Sequence, residues 1–388
     1  MAASEIPPSG TPSSPGAEAE APRWWVFHGT GRPRPHLDLA AVLPPPPPWR
    51  RHRGETPADA LEAPPYQDDE AGWALGAEPE LSARWSPLTA DRRERLSKIN
   101  AALYLRRPLL VTGPPGVGKS ALADQIAREL NLGRVLRWTV DSRSTLRSGL
   151  YDYDPLAQIH DLNLEHPRHE PAGDGRTVED EEAARLRSSA RRIGRYLRIG
   201  PLGTAFLPHR LPRVLLVDGL DKSDYDLVGD LLDLLEHGRY TVPELCRLRS
   251  AASRITVPTD DPDRTVTIVN GEVRCTEYPI VVITAGEERP FPPEFLRRCI
   301  PLRLTPPSAE ELTGIVAAHF SGVPSGPAGA VIADFVRRSA EGSPLAIDQL
   351  LNAVHMATVI EPGPEDPEPE FLRELSGLLW HRLTETPG

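Results

Sequence analysis

Residues 113–120 read Gly113-Pro114-Pro115-Gly116-Val117-Gly118-Lys119-Ser120, directly after the apolar run Leu109-Leu110-Val111-Thr112. A G-x-x-x-x-G-K-S loop constrains the fold strongly, because it works only between a buried strand and the N-terminus of a helix. The glycines let backbone N–H groups curl around a phosphate, Lys119 reaches the outer phosphate oxygens, and Ser120 offers its hydroxyl to a magnesium ion. Composition singles out the lysine: of 44 basic residues only Lys98, Lys119 and Lys222 are lysine. A compact ammonium fits a phosphate cradle that a planar guanidinium does not. The loop implies a bound nucleotide.

The 388 residues are enough for two or three structural units, and 39% hydrophobic content supports at least one substantial core. A net charge of -11 gives no support to nucleic-acid binding. Cys246, Cys275 and Cys299 are too few and too scattered for a disulfide framework or a zinc site, which fits a reducing cytoplasm. No run reaches the length of a membrane span, and the first residues lack a secretory signal. The expectation is a cytoplasmic protein with no membrane association.

The 44 prolines concentrate in the first seventy residues and around Glu361 to Glu370. Residues 1–86 therefore read as a mostly disordered, Pro-rich region. Two islands interrupt it: the aromatic cluster Trp24-Trp25-Val26-Phe27, and Pro44 to Pro48 followed by Trp49-Arg50-Arg51. Either could dock a partner, pack on this chain's own core or act as a spacer. Order is expected from Thr89-Ala90-Asp91, an N-cap signal leading into a helix with Leu96, Ile99 and Leu103 on one face, stopped by Pro108. Ala121 to Leu130 reads as helix and Val135 to Val140 as strand, a β-then-α alternation that predicts a parallel sheet with helices on both faces. Thr265 to Val269, Asn270-Gly271 and Val273 to Cys275 form a hairpin pattern. Glu182 to Arg198 reads as a basic amphipathic helix with Leu186, Ile193 and Leu197 inward; its arginine face is solvated or meets an acidic partner. His166 and His169 lack a third ligand, so residues 164–182 read as a solvated insertion rather than a metal site.

Val214-Leu215-Leu216-Val217-Asp218 is a buried-strand pattern that puts a carboxylate at the strand's end, where Asp218 would hold the magnesium shell. With Asp218, Asp221 and Lys222 spaced D-x-x-D-K, this stretch resembles the Walker B region of MoxR-type AAA+ ATPases. Asp230 to Glu236 is similar to the helix after Walker B, Pro279 to Thr284 to the sensor 1 strand, and Phe295-Leu296-Arg297-Arg298-Cys299 to the arginine-finger segment. The resemblance covers roughly residues 90 to 355. It implies an α/β fold, a P-loop AAA+ core over 87–306, a helical lid over 307–360, and a Pro/Glu linker with a C-terminal helix (Phe371 to Leu383) over 361–388. It also implies ATP and Mg2+ as ligands, a homo- or hetero-oligomeric ring, a protein client or adaptor, and an arginine, Arg297 or Arg298, reaching a neighbour's γ-phosphate. The bland reading of those two arginines is a surface salt-bridge pair.

The departures bear on mechanism. In the family, Walker B ends in Asp-Glu, and here Gly219 follows Asp218; the missing glutamate is the usual base, and its loss typically costs about 10²- to 10⁴-fold in rate. Asp221, three residues on, is expected to face elsewhere. The sensor 1 asparagine is absent from Ile283-Thr284-Ala285-Gly286, and Gly342-Ser343-Pro344 offers no sensor 2 arginine, although Arg337 and Arg338 lie close by. These features together imply an Mg-ATP-dependent assembly switch or scaffold with slow or absent hydrolysis. The alternative is a hydrolysing ATPase that remodels a protein client.

Overall fold

The computed structural model describes residues 21–48, 60–66, 74–84, 87–164, 192–287, 289–322, 327–340 and 346–359. Five apolar runs become β1 (Leu109–Thr112), β2 (Leu136–Thr139), β3 (Val214–Asp218), β4 (Ile280–Ala285) and β5 (Ile300–Arg303), joined in the order β5-β1-β4-β3-β2. Every pairing is parallel, with Leu110 opposite Ile283 and Val217 opposite both Ile283 and Trp138. Strand alternation sends Leu109, Val111, Val214, Leu216 and Val282 to one apolar cluster and Leu110, Leu215, Val217, Val281 and Ile283 to another. A parallel sheet buried on both faces needs such continuous apolar runs.

On the first face lie α1 (Ala90–Leu105) and α2 (Ala121–Glu129). Thr89 caps α1 by accepting from the Arg92 N–H at 3.2 Å, and Leu96, Ile99 and Leu103 are buried as the spacing predicts. On the second face α3 (Tyr225–His237) packs Leu227, Leu231 and Leu234 against the sheet. Beside it stands a four-stranded antiparallel sheet that contains the expected hairpin Thr265–Val269/Glu272–Arg274, turned by Asn270 and Gly271 at φ 55° and 74°. After β5, α4 (Ala309–His319), α5 (Pro327–Ala340) and α6 (Ile347–Val359) share a separate core around Val316, Phe335 and Leu350. Ser308 and Glu311 close a capping box at the start of α4.

Two expectations are corrected. Residues 193–199 are not the end of a helix: Ile193–Arg195 is a 3₁₀ turn, and Leu197–Ile199 is a strand paired antiparallel with Tyr151–Tyr153. Leu197 and Ile199 are buried on either side of exposed Arg198, a period of two that the i, i+4 pair Ile193 and Leu197 disguised. Nor is the N-terminal region without order where it is described. Trp25, Val26 and Phe27 are buried in the α1/α2 core, Pro45 to Pro48 belong to a described segment, and the short helix Glu80–Arg84 packs beside α4. Of the three roles open to the aromatic cluster, packing on the chain's own core is the observed one. The rest of the basic stretch 182–191, His166, His169, Gly342 to Pro344 and Phe371 to Leu383 lie outside the described residues.

Candidate functional site

The carboxyl ends of β1, β3 and β4 meet at one edge of the sheet, where parallel sheets bind ligands. The loop 113–120 leaves β1 and enters α2, with Gly113, Gly116 and Gly118 at φ 147°, 72° and 87°. At Gly116 a β-carbon would stand 2.2 Å from the Ala346 β-carbon, so only glycine fits under the start of α6. The Ile347 N–H donates to the Gly116 carbonyl at 3.1 Å and seats the helical layer on the loop.

Lys119 folds into the cradle, its ammonium donating to the carbonyls of Gly113 and Pro114 at 2.8 and 2.9 Å. Burial lowers its pKa, against the opposing charges of Asp221, Asp218 and Glu287. Ser120, at the N-terminus of α2, leaves its capping role unfilled and donates instead to Asp218 Oδ1 at 2.9 Å, across 98 residues of sequence. Thr284 on β4 donates its hydroxyl to the same oxygen and accepts the Gly219 N–H at 2.9 Å. Hydroxyls from the loop and from β4 thus converge on one carboxylate oxygen at the end of β3. Ser120 and Asp218 are hard oxygen donors of the kind that hold magnesium when phosphate and water supply the other ligands. Among the described residues no three His, Cys, Asp or Glu side chains gather into a metal cage.

Beside the loop opens a cavity of about 630 Å³, within the range of small-molecule sites. Its walls are the P-loop, α1 (Arg92, Leu96), the α4 and α6 layer (Ile315, Ile347) and the N-terminal segment (Phe27, Gly29). Arg95 on α1 bonds Glu311 on α4 at 2.8 Å, and Arg92 donates to the Gly29 carbonyl at 3.0 Å, tying three of those walls together.

Gly113 to Ser120 and Asp218 therefore come together, whereas Arg297 and Arg298 stand apart at the end of the short helix Pro293–Leu296 and do not line the cavity. The two differ: Arg298 donates through Nε to Glu236 on α3, while the Arg297 side chain is exposed and its carbonyl accepts from Arg107 at 3.2 Å. Arg337 and Arg338 both pair with Asp334 on their own helix and are not among the cavity residues. Sequence reasoning missed the cavity cations Arg92 and Arg95, and it missed the anchors of the N-terminal segment. Those anchors are Asn100 and Glu129, both fully buried. Each carried a readable signal, a polar residue on an apolar helix face: Asn100 between Leu96 and Leu103, Glu129 between Ile126 and Leu130. No protein-family model matches the chain, and no curated protein matches it at a significant level.

Proposed function

We propose that this chain is a MoxR-like AAA+ protein that binds Mg-ATP between its sheet edge and its helical layer, hydrolyses it slowly, and acts in the cytoplasm as a nucleotide-dependent assembly switch or scaffold for a protein client. One observation carries the reading: Ser120 Oγ and Asp218 Oδ1 stand 2.9 Å apart beside a lysine held in a glycine cradle. That is the arrangement a phosphate chain and its magnesium require. The helical layer seated on the loop supports a lid, and the exposed Arg297 supports a ring in which a neighbour's nucleotide takes its charge. ATP shifts such an assembly only by as much as it prefers one state over the other, and turnover is not needed for that. A second reading, an ordinary hydrolysing ATPase that remodels its client, is favoured by the position of Asp221 described below.

The test is the affinity of a fluorescent ATP analogue for the full chain, with magnesium and with EDTA, beside Lys119→Ala. Binding that weakens at least about tenfold in both EDTA and the variant, roughly 1.4 kcal/mol, is expected. Equal affinity in wild type and Lys119→Ala overturns the nucleotide-site reading.

A further inference from the structure

This inference rests on the nucleotide-site reading above. Gly219 follows the strand-ending Asp218 with φ 80° and ψ 40°, and a β-carbon there would lie 3.3 Å from Lys222 Cδ. The position that a glutamate would occupy is thus left-handed and covered by the Lys222 stem. The chain then turns back in the 3₁₀ turn Leu220–Lys222, with the Lys222 N–H donating to the Gly219 carbonyl at 3.0 Å. Arg289 clamps the turn from outside, donating to the carbonyls of Asp221 and Ser223, with its guanidinium 3.9 Å over the Tyr225 ring.

The turn points the Asp221 carboxylate toward Gly286. Its Oδ2 lies 3.0 Å from where a β-carbon on Gly286 would stand, just past the carboxyl end of β4, the strand between the P-loop strand and the Asp218 strand. The charge of Asp221, like that of Asp218, acts on the Lys119 ammonium. Among the described residues none donates a hydrogen bond to the half-exposed Asp221 carboxylate. The other nearby acid, Glu287, is engaged by Arg303 at 2.7 and 3.2 Å. Gly286 matters here for the space it leaves, because any side chain at 286 would press on the Asp221 carboxylate.

We propose that Asp221 is the general base of the slow hydrolysis, replacing the absent glutamate from the other side of Gly219. The water oxygen bonds to the γ-phosphorus while the bond from that phosphorus to the β–γ bridging oxygen breaks, its electron pair staying with ADP. The water proton passes to the Asp221 carboxylate and from there to solvent. An aspartate working from a turn beyond the strand end is a shorter and less direct base than a glutamate on it, consistent with slow turnover.

The experiment compares wild type, Asp221→Asn, Gly286→Ala and Lys119→Ala as full chains, reading phosphate release at saturating Mg-ATP, Kd for Mg-ATP, and Kd for Mg-ADP with aluminium fluoride. Expected is slow wild-type turnover that falls about 100-fold in Asp221→Asn and at least about tenfold in Gly286→Ala. The Kd for Mg-ATP stays within about threefold, while the tighter binding of ADP with aluminium fluoride is lost. Wild type that binds Mg-ATP without any turnover overturns the proposal, as does turnover in Asp221→Asn equal to wild type. Should Asp221→Asn fail to fold by thermal melt, Gly286→Ala decides, and unchanged turnover there overturns it. Failure of the nucleotide reading itself looks different: Lys119→Ala then binds like wild type, or neither binds.

Discussion

His209 sits in the interior with Nε2 bonded to the Thr204 carbonyl at 2.8 Å. Burial, and then the charge of Arg213, push its pKa down to about 4, opposed by Asp261 and the bond to Thr204. An unfolded chain takes up a proton near pH 6.5 that the folded chain refuses until about pH 4, so stability is complete above 6.5 and declines as pH falls through that window. The loss expected by pH 5 is about 2 kcal/mol. Urea unfolding at pH 7 and pH 5 checks it, and His209→Gln, which keeps a donor for Thr204, should show a decline smaller by about that amount. At this scale the sequence was legible wherever a residue type had one use. Ser120 meets Asp218 beside the lysine of the loop, as the motif spacing led one to expect. It was illegible at Asp221, where three residues of separation say nothing about a 3₁₀ turn that points the carboxylate toward Gly286. A left-handed Gly219 costs a β-carbon about 1–2 kcal/mol, so placing glutamate there adds strain rather than restoring a site.

Among the elements, the N-terminal segment is the one that sequence patterning described least well. Asn100 Oδ1 accepts from the N–H groups of Val26 and Phe27 at 2.7 and 2.9 Å, and its Nδ2 donates to the Phe27 carbonyl at 2.7 Å. Glu129 accepts from the N–H groups of His28 and Thr30 at 2.6 and 2.7 Å. Two buried side chains therefore do for residues 26–30 what a neighbouring strand would otherwise do. Asn100→Ala strands two buried N–H groups and is expected to cost about 3 kcal/mol. Amide exchange should show residues 26–30 losing protection while β3 and β4 keep theirs; unchanged protection at 26–30 would refute the pinning role. Local proline and glycine content made this segment read as disordered because the groups that order it lie more than seventy residues away. By contrast α1, α2 and the central strands were legible, since their signals are periodic and local.

For the whole molecule, Arg297 and Arg298 differ in what they engage. Arg298 is tied to Glu236 within the chain, a partly exposed pair worth under about 1 kcal/mol. Arg297 has its side chain available to a second copy. Under the proposed function, Arg297→Ala leaves the melting temperature unchanged and removes turnover. Mixed with Lys119→Ala, each inactive alone, it recovers activity in shared sites, as phosphate release from the mixture would report. No recovery would mean that Arg297 does not serve a neighbour. No described helix is long and apolar enough to cross a membrane.

The segment that lines the cavity also sets where the chain can be cut. Glu78 donates its N–H to Ala318 on α4 at 2.9 Å, while Phe27 and Gly29 rest on α1. A polypeptide begun at Pro87, the edge the motifs mark, would keep every signature residue yet leave the Glu129 carboxylate without its donors and its cavity missing a wall. The motif-bearing core thus borrows part of its own architecture from the stretch that precedes it.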